Sequence, residues 1–197
     1  MRPHLGVPTS EPTMQSAQLM VPVTDRDHSI GPGNAPVTLV EYGDFECPHC
    51  RRAHPMVQGL IRYMAENLRF VFRHFPLAEA HPHSRHAAEA AEAAGAQGKF
   101  WEMYDILFHS QDALEDEDLV MYAARIGIDF QRVSQELATG TYTRKVRDDF
   151  RGGVRSGVNG TPTFFINGSR FDGNWSDANE FIQALSDAAA QVHAGAQ

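Results

Sequence analysis

Cysteine is scarce in this chain, and both copies lie in one short motif. The 197 residues contain two cysteines, Cys47 and Cys50, separated by Pro48 and His49. A secreted disulfide scaffold would spread several cysteines along the chain, and a structural zinc site commonly draws its ligands from two separated pairs. Because a second pair is missing, these cysteines are not expected to have a structural role, and the motif indicates a reactive site.

The sequence also lacks long apolar runs, an excess of basic residues and an N-terminal signal pattern. No apolar run approaches the ~20 residues of a membrane-spanning helix. Acidic residues outnumber basic ones by 25 to 17, for a formal net charge of −8, which disfavours nucleic acid and anionic membranes as partners. Residues 1–8 lack the apolar stretch of a secretory signal. We therefore expect a cytoplasmic protein, or a periplasmic or extracytoplasmic one if a leader has been removed.

Apolar residues are nonetheless plentiful enough for a folded core. They make up 42% of the chain, which includes 12 Phe, so the chain as a whole is not predicted to be disordered. The length suits one domain, or one domain with a sizeable insertion. Residues 1–35 are rich in proline and show no helical period. We expect a flexible N-terminal arm there, with a short edge strand at 19–23.

Apolar periodicity predicts a strand–helix–strand unit at residues 36–77. The β-branched run 37–42 is typical of a buried strand, and the run 68–75 alternates as a strand does. The stretch from Pro48 to about Asn67 between them has apolar residues at helical spacing. Because such a connection favours parallel pairing, the two strands are expected to be neighbours in one sheet.

A block of helices is predicted at residues 78–157. It contains an alanine-rich helix and further segments with helical apolar spacing, of which 100–108 follows the pattern without a miss. These helices would be inserted between two halves of a sheet.

Residues 158–197 return to strand character and end in a helix. A strand at 163–166 precedes Asn167-Gly168, a strong signal for a two-residue hairpin turn. Ser176 or Asp177 is expected to cap the last helix. The predicted fold class is α/β, with a central mixed sheet flanked by helices and an inserted helical domain.

The cysteine motif directly follows the first buried strand and begins the helix after it. Residues three apart on a helical turn have Cα atoms ~5–6 Å apart, which suits a disulfide. Unpaired N–H groups and the helix dipole would stabilise a Cys47 thiolate, and Pro48 suits the first helical position. A protonated or hydrogen-bonding His49 would stabilise the thiolate further. All these effects lower the pKa of Cys47.

A stabilised thiolate in this place predicts thiol–disulfide exchange. Stabilising the reduced form makes the disulfide form an oxidant of other thiols. Cys47 is then the nucleophile, and Cys50, one turn further into the helix, is the resolving cysteine. The motif alone is also compatible with half of a metal site or with two thiols that have no role.

Distant segments of the chain carry a resemblance to a known family. EYGDFECPHC at 41–50 is followed by FRHFPL at 72–77 and much later by GTPTFFING at 160–168. Over about residues 30–190 the sequence resembles the DsbA-like branch of the thioredoxin superfamily. The resemblance implies a thioredoxin fold whose two halves are 36–77 and 158–197, and an enzyme that oxidises or exchanges thiols and disulfides in protein substrates.

The resemblance also implies roles for residues outside the motif. In that family the proline matching Pro162 is cis and lies beside the cysteines, and the backbone before it, here Thr161, is free to pair with an extended substrate segment. An acidic residue at the position of Glu41 is thought to relay protons for the buried cysteine, which suits a carboxyl whose pKa is raised by burial. Asp44 and Glu46 lie closer to the motif, but the sequence does not fix the sign of their effect on it.

The expected activity needs no bound cofactor, because the cysteine pair carries the two electrons. No metal site is predicted either, since the histidines between 74 and 86 are expected in loop or capping roles. Expected partners are protein or peptide thiol and disulfide substrates and a redox partner that resets the pair, with the chain acting as a monomer. The alternatives are a cytoplasmic thioredoxin-like disulfide reductase, a non-catalytic peptide-binding or regulatory module, and a zinc protein that pairs two chains through Cys47 and Cys50.

Overall fold

A mixed five-stranded sheet forms the centre of the molecule in the computed structural model, which describes residues 17–195. Its strands are β1 (His28–Ile30), β2 (Val37–Gly43), β3 (Leu68–His74), β4 (Thr163–Ile166) and β5 (Ser169–Arg170). They lie in the order β1-β3-β2-β4-β5. The strands β2 and β3 are parallel, and the other neighbouring pairs are antiparallel. Residues 1–16 of the predicted arm lie outside the described residues.

Helices flank the sheet and fill the connection between β3 and β4. In the described part of the chain they are α1 (Pro48–Met64), α2 (Ser84–Gly95), α3 (Phe100–His109), α4 (Asp116–Arg125), α5 (Phe130–Thr139), α6 (Thr143–Arg155) and α7 (Ala178–Gly195). The helix α1 joins β2 to β3, and α2 to α6 form the insertion. This arrangement confirms the predicted fold class, while the limits of the four segments stay a prediction. No helix among the described residues combines the length and apolar character that crossing a bilayer requires.

Apolar layers cover both faces of the sheet. Leu39 belongs to the larger layer, which contains α1 and the aromatic side chains of α3, whereas Val40 belongs to the smaller layer on the other face. Because side chains alternate along a strand, Glu41 shares the face of Leu39. A carboxyl group therefore points into the larger apolar layer.

Two predictions for residues 158–197, a hairpin turn and a helix cap, are confirmed. Asn167 and Gly168 both have positive φ, 48° and 87°, as a two-residue hairpin turn between β4 and β5 requires. Asp177 accepts hydrogen bonds from the backbone N–H groups of Asn179 and Glu180, so it caps α7 as predicted.

The first strand lies later in the chain than predicted. In the described structure no strand covers 19–23: edge pairing there is limited to an isolated antiparallel bridge between Gln18 and Ser169, next to which the Leu19 N–H donates to the Gly168 carbonyl at 2.7 Å, and β1 begins at His28. The carbonyl groups of Val21 and Pro22 instead accept hydrogen bonds from the Arg73 guanidinium, at 2.7 and 2.9 Å. The prediction was wrong because a buried arginine on β3 takes the backbone groups that a strand ladder would use.

Candidate active site

Cys47 and Cys50 lie at the N-terminal end of α1. Cys47 is the N-cap residue, and Pro48 occupies the first helical position. Both cysteines are free thiols, with 3% of Cys47 and 0% of Cys50 exposed, whereas Pro48 and His49 are exposed. The helix therefore begins where the motif predicted, with Cys50 as the fully buried member of the pair.

Hydrogen-bond donors converge on the sulfur of Cys47 and lower its pKa to about 5. The largest contribution is the hydrogen bond from the Cys50 thiol, which outweighs the opposing effect of burial. The Thr161 side chain and the backbone N–H groups of Cys50 and His49 lower the pKa further. Those N–H groups are among the unpaired donors of the first helical turn. Cys47 is therefore a thiolate at neutral pH.

The side chain of His49 is directed to Arg52 rather than to the cysteine pair. Its Nδ1 lies 2.7 Å from Nη2 of Arg52, at an exposed position. The part of His49 that acts on Cys47 is its backbone N–H. Tuning of the thiolate by the imidazole ring stays a prediction.

The loop before β4 brings Thr161 and Pro162 to the cysteine pair. The Thr161–Pro162 peptide bond is cis, as the family resemblance implies. Sγ of Cys47 lies 3.4 Å from the Thr161 carbonyl oxygen, to which it donates when the thiol is protonated. Because β4 pairs with β2, and β2 leads into the cysteine motif, the sheet itself holds these two distant segments together.

Replacing Thr161 with valine is expected to raise the pKa of Cys47 by about one unit. The Thr161 hydroxyl is buried and has no hydrogen-bond partner while Cys47 is protonated, so it is available to donate when Cys47 ionises. Valine has the same shape and lacks this donor. The measurement is a pH titration of the thiolate by ultraviolet absorbance.

The matched control for that titration is Thr163→Val. The Thr163 hydroxyl donates to the Gly160 carbonyl at 2.8 Å, so its loss should leave the titration of Cys47 unchanged. Equal titration midpoints for Thr161→Val and wild type would show that the Thr161 hydroxyl has no effect on the thiolate.

Glu41 and Cys50 form a buried pair behind Cys47. Glu41 is 1% exposed, and burial followed by the charge of Cys47 raises its pKa to about 8. Burial also raises the pKa of Cys50, with further contributions from Cys47 and Glu41. The carboxyl group of Glu41 is thus able to exchange a proton near neutral pH beside a cysteine that resists ionisation.

The loop after β3 supplies hydrogen-bond partners to the acidic residues next to the motif. The Asp44 carboxylate accepts from the backbone N–H of Leu77 at 2.8 Å and pairs with Nδ1 of His81 at 2.7 Å. Although burial disfavours the charged imidazole, the bond to Asp44 raises the pKa of His81. Glu46 accepts from the backbone N–H of His83 at 2.7 Å. Sequence reasoning missed these contacts, because nothing local links residues 37 positions apart.

A second cluster of ligating side chains lies away from the cysteines. One atom each of His74, Glu92 and Asp149 lie within 4.8 Å of one another. The ammonium of Lys145, however, lies 2.6 Å from Asp149 and 3.5 Å from Glu92. Because this cation already neutralises the carboxylates, the cluster fits an internal ion-pair network better than a metal site.

Comparison with known proteins places this chain in a family. A family model described as thioredoxin matches residues 23–185. A Na⁺/H⁺ antiporter named NhaA 1 from Salinispora arenicola is 48% identical over 178 residues, which are 90% of this chain and 26% of the relative. NhaA 3 from Salinispora tropica is 47% identical over 180 residues, 91% of this chain and 27% of the relative. The chain thus spans about a quarter of the length of the curated relatives it matches.

Solved structures show the same fold. Oxidised BdbD from Bacillus subtilis superposes with a TM-score of 0.79 at 23% identity, covering 89% of this chain and 98% of that one. A thioredoxin-like oxidoreductase from Silicibacter pomeroyi gives 0.74 at 27% identity, with 85% and 94% covered. Alpha-DsbA1 from Wolbachia pipientis gives 0.76 at 20% identity, with 91% and 98% covered. The chain therefore belongs to the thioredoxin family and has the fold of its DsbA-like branch, a thioredoxin fold with a helical insertion.

Proposed function

We propose that this chain is a DsbA-like thiol–disulfide oxidoreductase that oxidises dithiols or exchanges disulfides in protein or peptide substrates. The observation that carries the proposal is the contrast between two neighbouring thiols. The pKa of Cys47 is lowered to about 5, while burial raises that of Cys50. One sulfur is thus a good nucleophile and leaving group, and the other keeps its proton until it is needed. The chain acts as a monomer with a separate redox partner.

In the oxidising direction the reaction takes two exchange steps. A substrate thiolate attacks Sγ of Cys47 in the Cys47–Cys50 disulfide, and Cys50 leaves as a thiolate that takes up a proton. A second substrate thiolate then attacks the substrate sulfur of the mixed disulfide, and Cys47 leaves as a thiolate. Two electrons pass from the substrate to the cysteine pair, so no bound cofactor takes part.

The remaining site residues act on binding and proton transfer. Thr161 and Pro162 are half-buried beside Cys47, where the backbone of Thr161 can pair with an extended substrate segment as an added strand does. His49 is exposed at the motif and is placed to meet a substrate. Glu41 supplies the proton to Cys50 when Cys50 leaves and removes it when Cys50 attacks.

The reduction potential of the cysteine pair tests this proposal. Because a stable Cys47 thiolate favours the reduced pair, we expect a value nearer to the roughly −120 mV of DsbA than to the roughly −270 mV of thioredoxin. The measurement is equilibration with reduced and oxidised glutathione. A potential at or below that of thioredoxin would favour the reductase alternative, and failure to form the disulfide would refute the proposal.

The potential also bears on the compartment. An oxidising pair is expected to work outside the cytoplasm, because glutathione keeps cytoplasmic thiols reduced. The proposed location is therefore periplasmic or extracytoplasmic, which is the second of the two locations that the sequence left open.

The curated relatives favour a second candidate function, a module that acts with a Na⁺/H⁺ antiporter. Two antiporters match nearly the whole of this chain with about a quarter of their own length. A non-catalytic binding role would survive replacement of both Cys47 and Cys50 by serine. If the double variant captured an antiporter from detergent-solubilised membranes as well as wild type does, binding rather than exchange would be the function.

A further inference from the structure

A third polar group is buried in the same apolar layer as Cys50, into which Glu41 points, and it comes from the helical insertion. Tyr104 on α3 is 0% exposed. Its hydroxyl and both carboxylate oxygens of Glu41 are buried without a hydrogen-bond partner among the described residues. A buried polar group left unpaired lowers the stability of the folded protein, because it loses its hydrogen bonds to water. Neighbouring groups with this cost indicate a functional reason for keeping them.

The ring of Phe72 connects Tyr104 to Glu41. Phe72 lies directly opposite Glu41 in the pairing of β2 with β3, and its ring packs edge-on against Tyr104 with centroids 5.0 Å apart. A side-chain carbon at Gly43 would lie 2.4 Å from the Phe72 ring and 3.2 Å from Oε1 of Glu41. The carboxyl and the ring therefore lie side by side beneath Gly43, and Tyr104 borders the same ring.

The Tyr104 hydroxyl keeps its proton throughout the working pH range. Burial, and after it the charges of Glu41 and Cys50, raise its pKa well above the ordinary value. A tyrosine in this state is a neutral donor, and donation to a carboxylate or a thiolate stabilises the charged form.

Other titratable groups around Tyr104 already have partners. The Asp105 carboxylate accepts from His54 at 2.8 Å and from Gln58 at 3.3 Å. His74, whose ring borders Phe72, bonds through Nε2 to Glu92. Nδ1 of His74 is also buried without a partner, but a neutral imidazole that donates through Nε2 to Glu92 has no proton on Nδ1. Of these two groups beside Phe72, the hydroxyl of Tyr104 is therefore the neutral donor.

Building on the proposed function, we propose that Tyr104 is a positioning residue for proton transfer between Glu41 and Cys50. Its hydroxyl donates through one internal water to the Glu41 carboxylate. When Cys50 leaves as a thiolate, the Glu41 carboxyl gives up its proton, and the products are the Cys50 thiol and the Glu41 carboxylate. Tyr104 then stabilises that carboxylate without itself losing a proton.

Infrared titration of Glu41 in the reduced protein tests this role. The band of its protonated carboxyl is assigned as the difference between wild type and Glu41→Gln, and its intensity is followed against pH. Tyr104→Phe keeps the ring and removes the donor, so the midpoint should move upward by about one pH unit, a tenfold change in acidity. Tyr122→Phe is the matched control, because the Tyr122 hydroxyl donates to the Ala113 carbonyl at 2.8 Å, and its midpoint should equal that of wild type.

Each outcome of this experiment is decisive. Equal midpoints for wild type and Tyr104→Phe would overturn the role of Tyr104. If Tyr104→Phe does not fold, the carboxylate bands of Glu41 in wild type above the midpoint decide, since frequencies typical of a carboxylate without a hydrogen bond would overturn it too. The titration needs no turnover, so the absence of exchange activity in wild type would instead count against the proposed function.

Discussion

Replacing Cys47 with serine is expected to reduce thiol–disulfide exchange to the uncatalysed rate. A serine hydroxyl forms no disulfide, and it is not ionised at neutral pH, whereas the pKa of Cys47 is lowered to about 5. The substrate thiolate then has no sulfur to attack, and reduction loses its nucleophile. The measurements are precipitation of insulin chains in the presence of dithiothreitol and oxidation of a dithiol peptide. Full activity of this variant would refute the assignment of the nucleophile.

Cys50→Ser is the informative partner of that variant. Cys47 still attacks or accepts a substrate sulfur, but no second thiol resolves the mixed disulfide, so covalent adducts accumulate on a non-reducing gel. Serine is a better replacement than alanine here, because the largest contribution to the low pKa of Cys47 is a hydrogen bond from residue 50. A hydroxyl keeps that donor, whereas Cys50→Ala would change the nucleophile as well as remove the resolving thiol.

The fold was predictable where its signals are local. The helix α3 carries an unbroken apolar period, and the Asn167-Gly168 turn has the residues that positive φ demands. The absence of a strand at 19–23 was not predictable, because the Arg73 guanidinium takes backbone groups there. That group takes the carbonyls of Val21 and Pro22 and is held by Asp27 at 2.8 Å. Such a contact joins residues about fifty positions apart and leaves no periodic trace in the sequence.

The same distinction applies to the candidate site. The cysteine pair and Pro162 were predictable, because a motif of four residues and a family pattern mark them. The bond between His81 and Asp44, and the approach of Tyr104 to Glu41, required the helical insertion and the loop after β3 to be folded against the sheet. In its own helix Tyr104 fits an aromatic core pattern, which gives no hint that its ring packs against Phe72, next to the Glu41 carboxyl.

Glu41→Gln is expected to stabilise the reduced protein above neutral pH by several kcal/mol while slowing the step at Cys50. Burial raises the pKa of Glu41 from an ordinary value of 4.5 to about 8, so the folded state holds this proton more tightly than the unfolded state. The stability that Glu41 contributes is full below pH 4.5 and is lost as the pH rises through 8. A shift of this size corresponds to a loss on the order of 5 kcal/mol in the free energy of unfolding of wild type. Glutamine does not titrate, so Glu41→Gln does not suffer this loss.

Wild type and Glu41→Gln must be compared at each pH, because the lowered pKa of Cys47 changes the free energy of unfolding with pH in the opposite direction. Its pKa falls from 9.0 to about 5 on folding, so its contribution is full above pH 9 and is lost as the pH falls through 5. Between pH 5 and 8 the free energy of unfolding falls with pH because of Glu41 and rises with pH because of Cys47, so in wild type the two changes largely cancel. In Glu41→Gln only the rise due to Cys47 remains. Urea unfolding of both reduced proteins at pH 5 and pH 8.5 should therefore show a difference in free energy that grows with pH. Glu66→Gln, which changes an exposed carboxylate, is the control that should show no growth.

The rate of thiol–disulfide exchange by Glu41→Gln is the second measurement that tests the role of Glu41. Without an acid to protonate the leaving Cys50 thiolate, exchange should slow by about a hundredfold, within the usual range for loss of a general acid. The variant would then be more stable and less active than wild type, as expected for a buried carboxyl kept for function rather than for stability. A stability difference that is the same at both pH values would show that folding does not raise the pKa of Glu41, and the proton relay would then have to be assigned to another group.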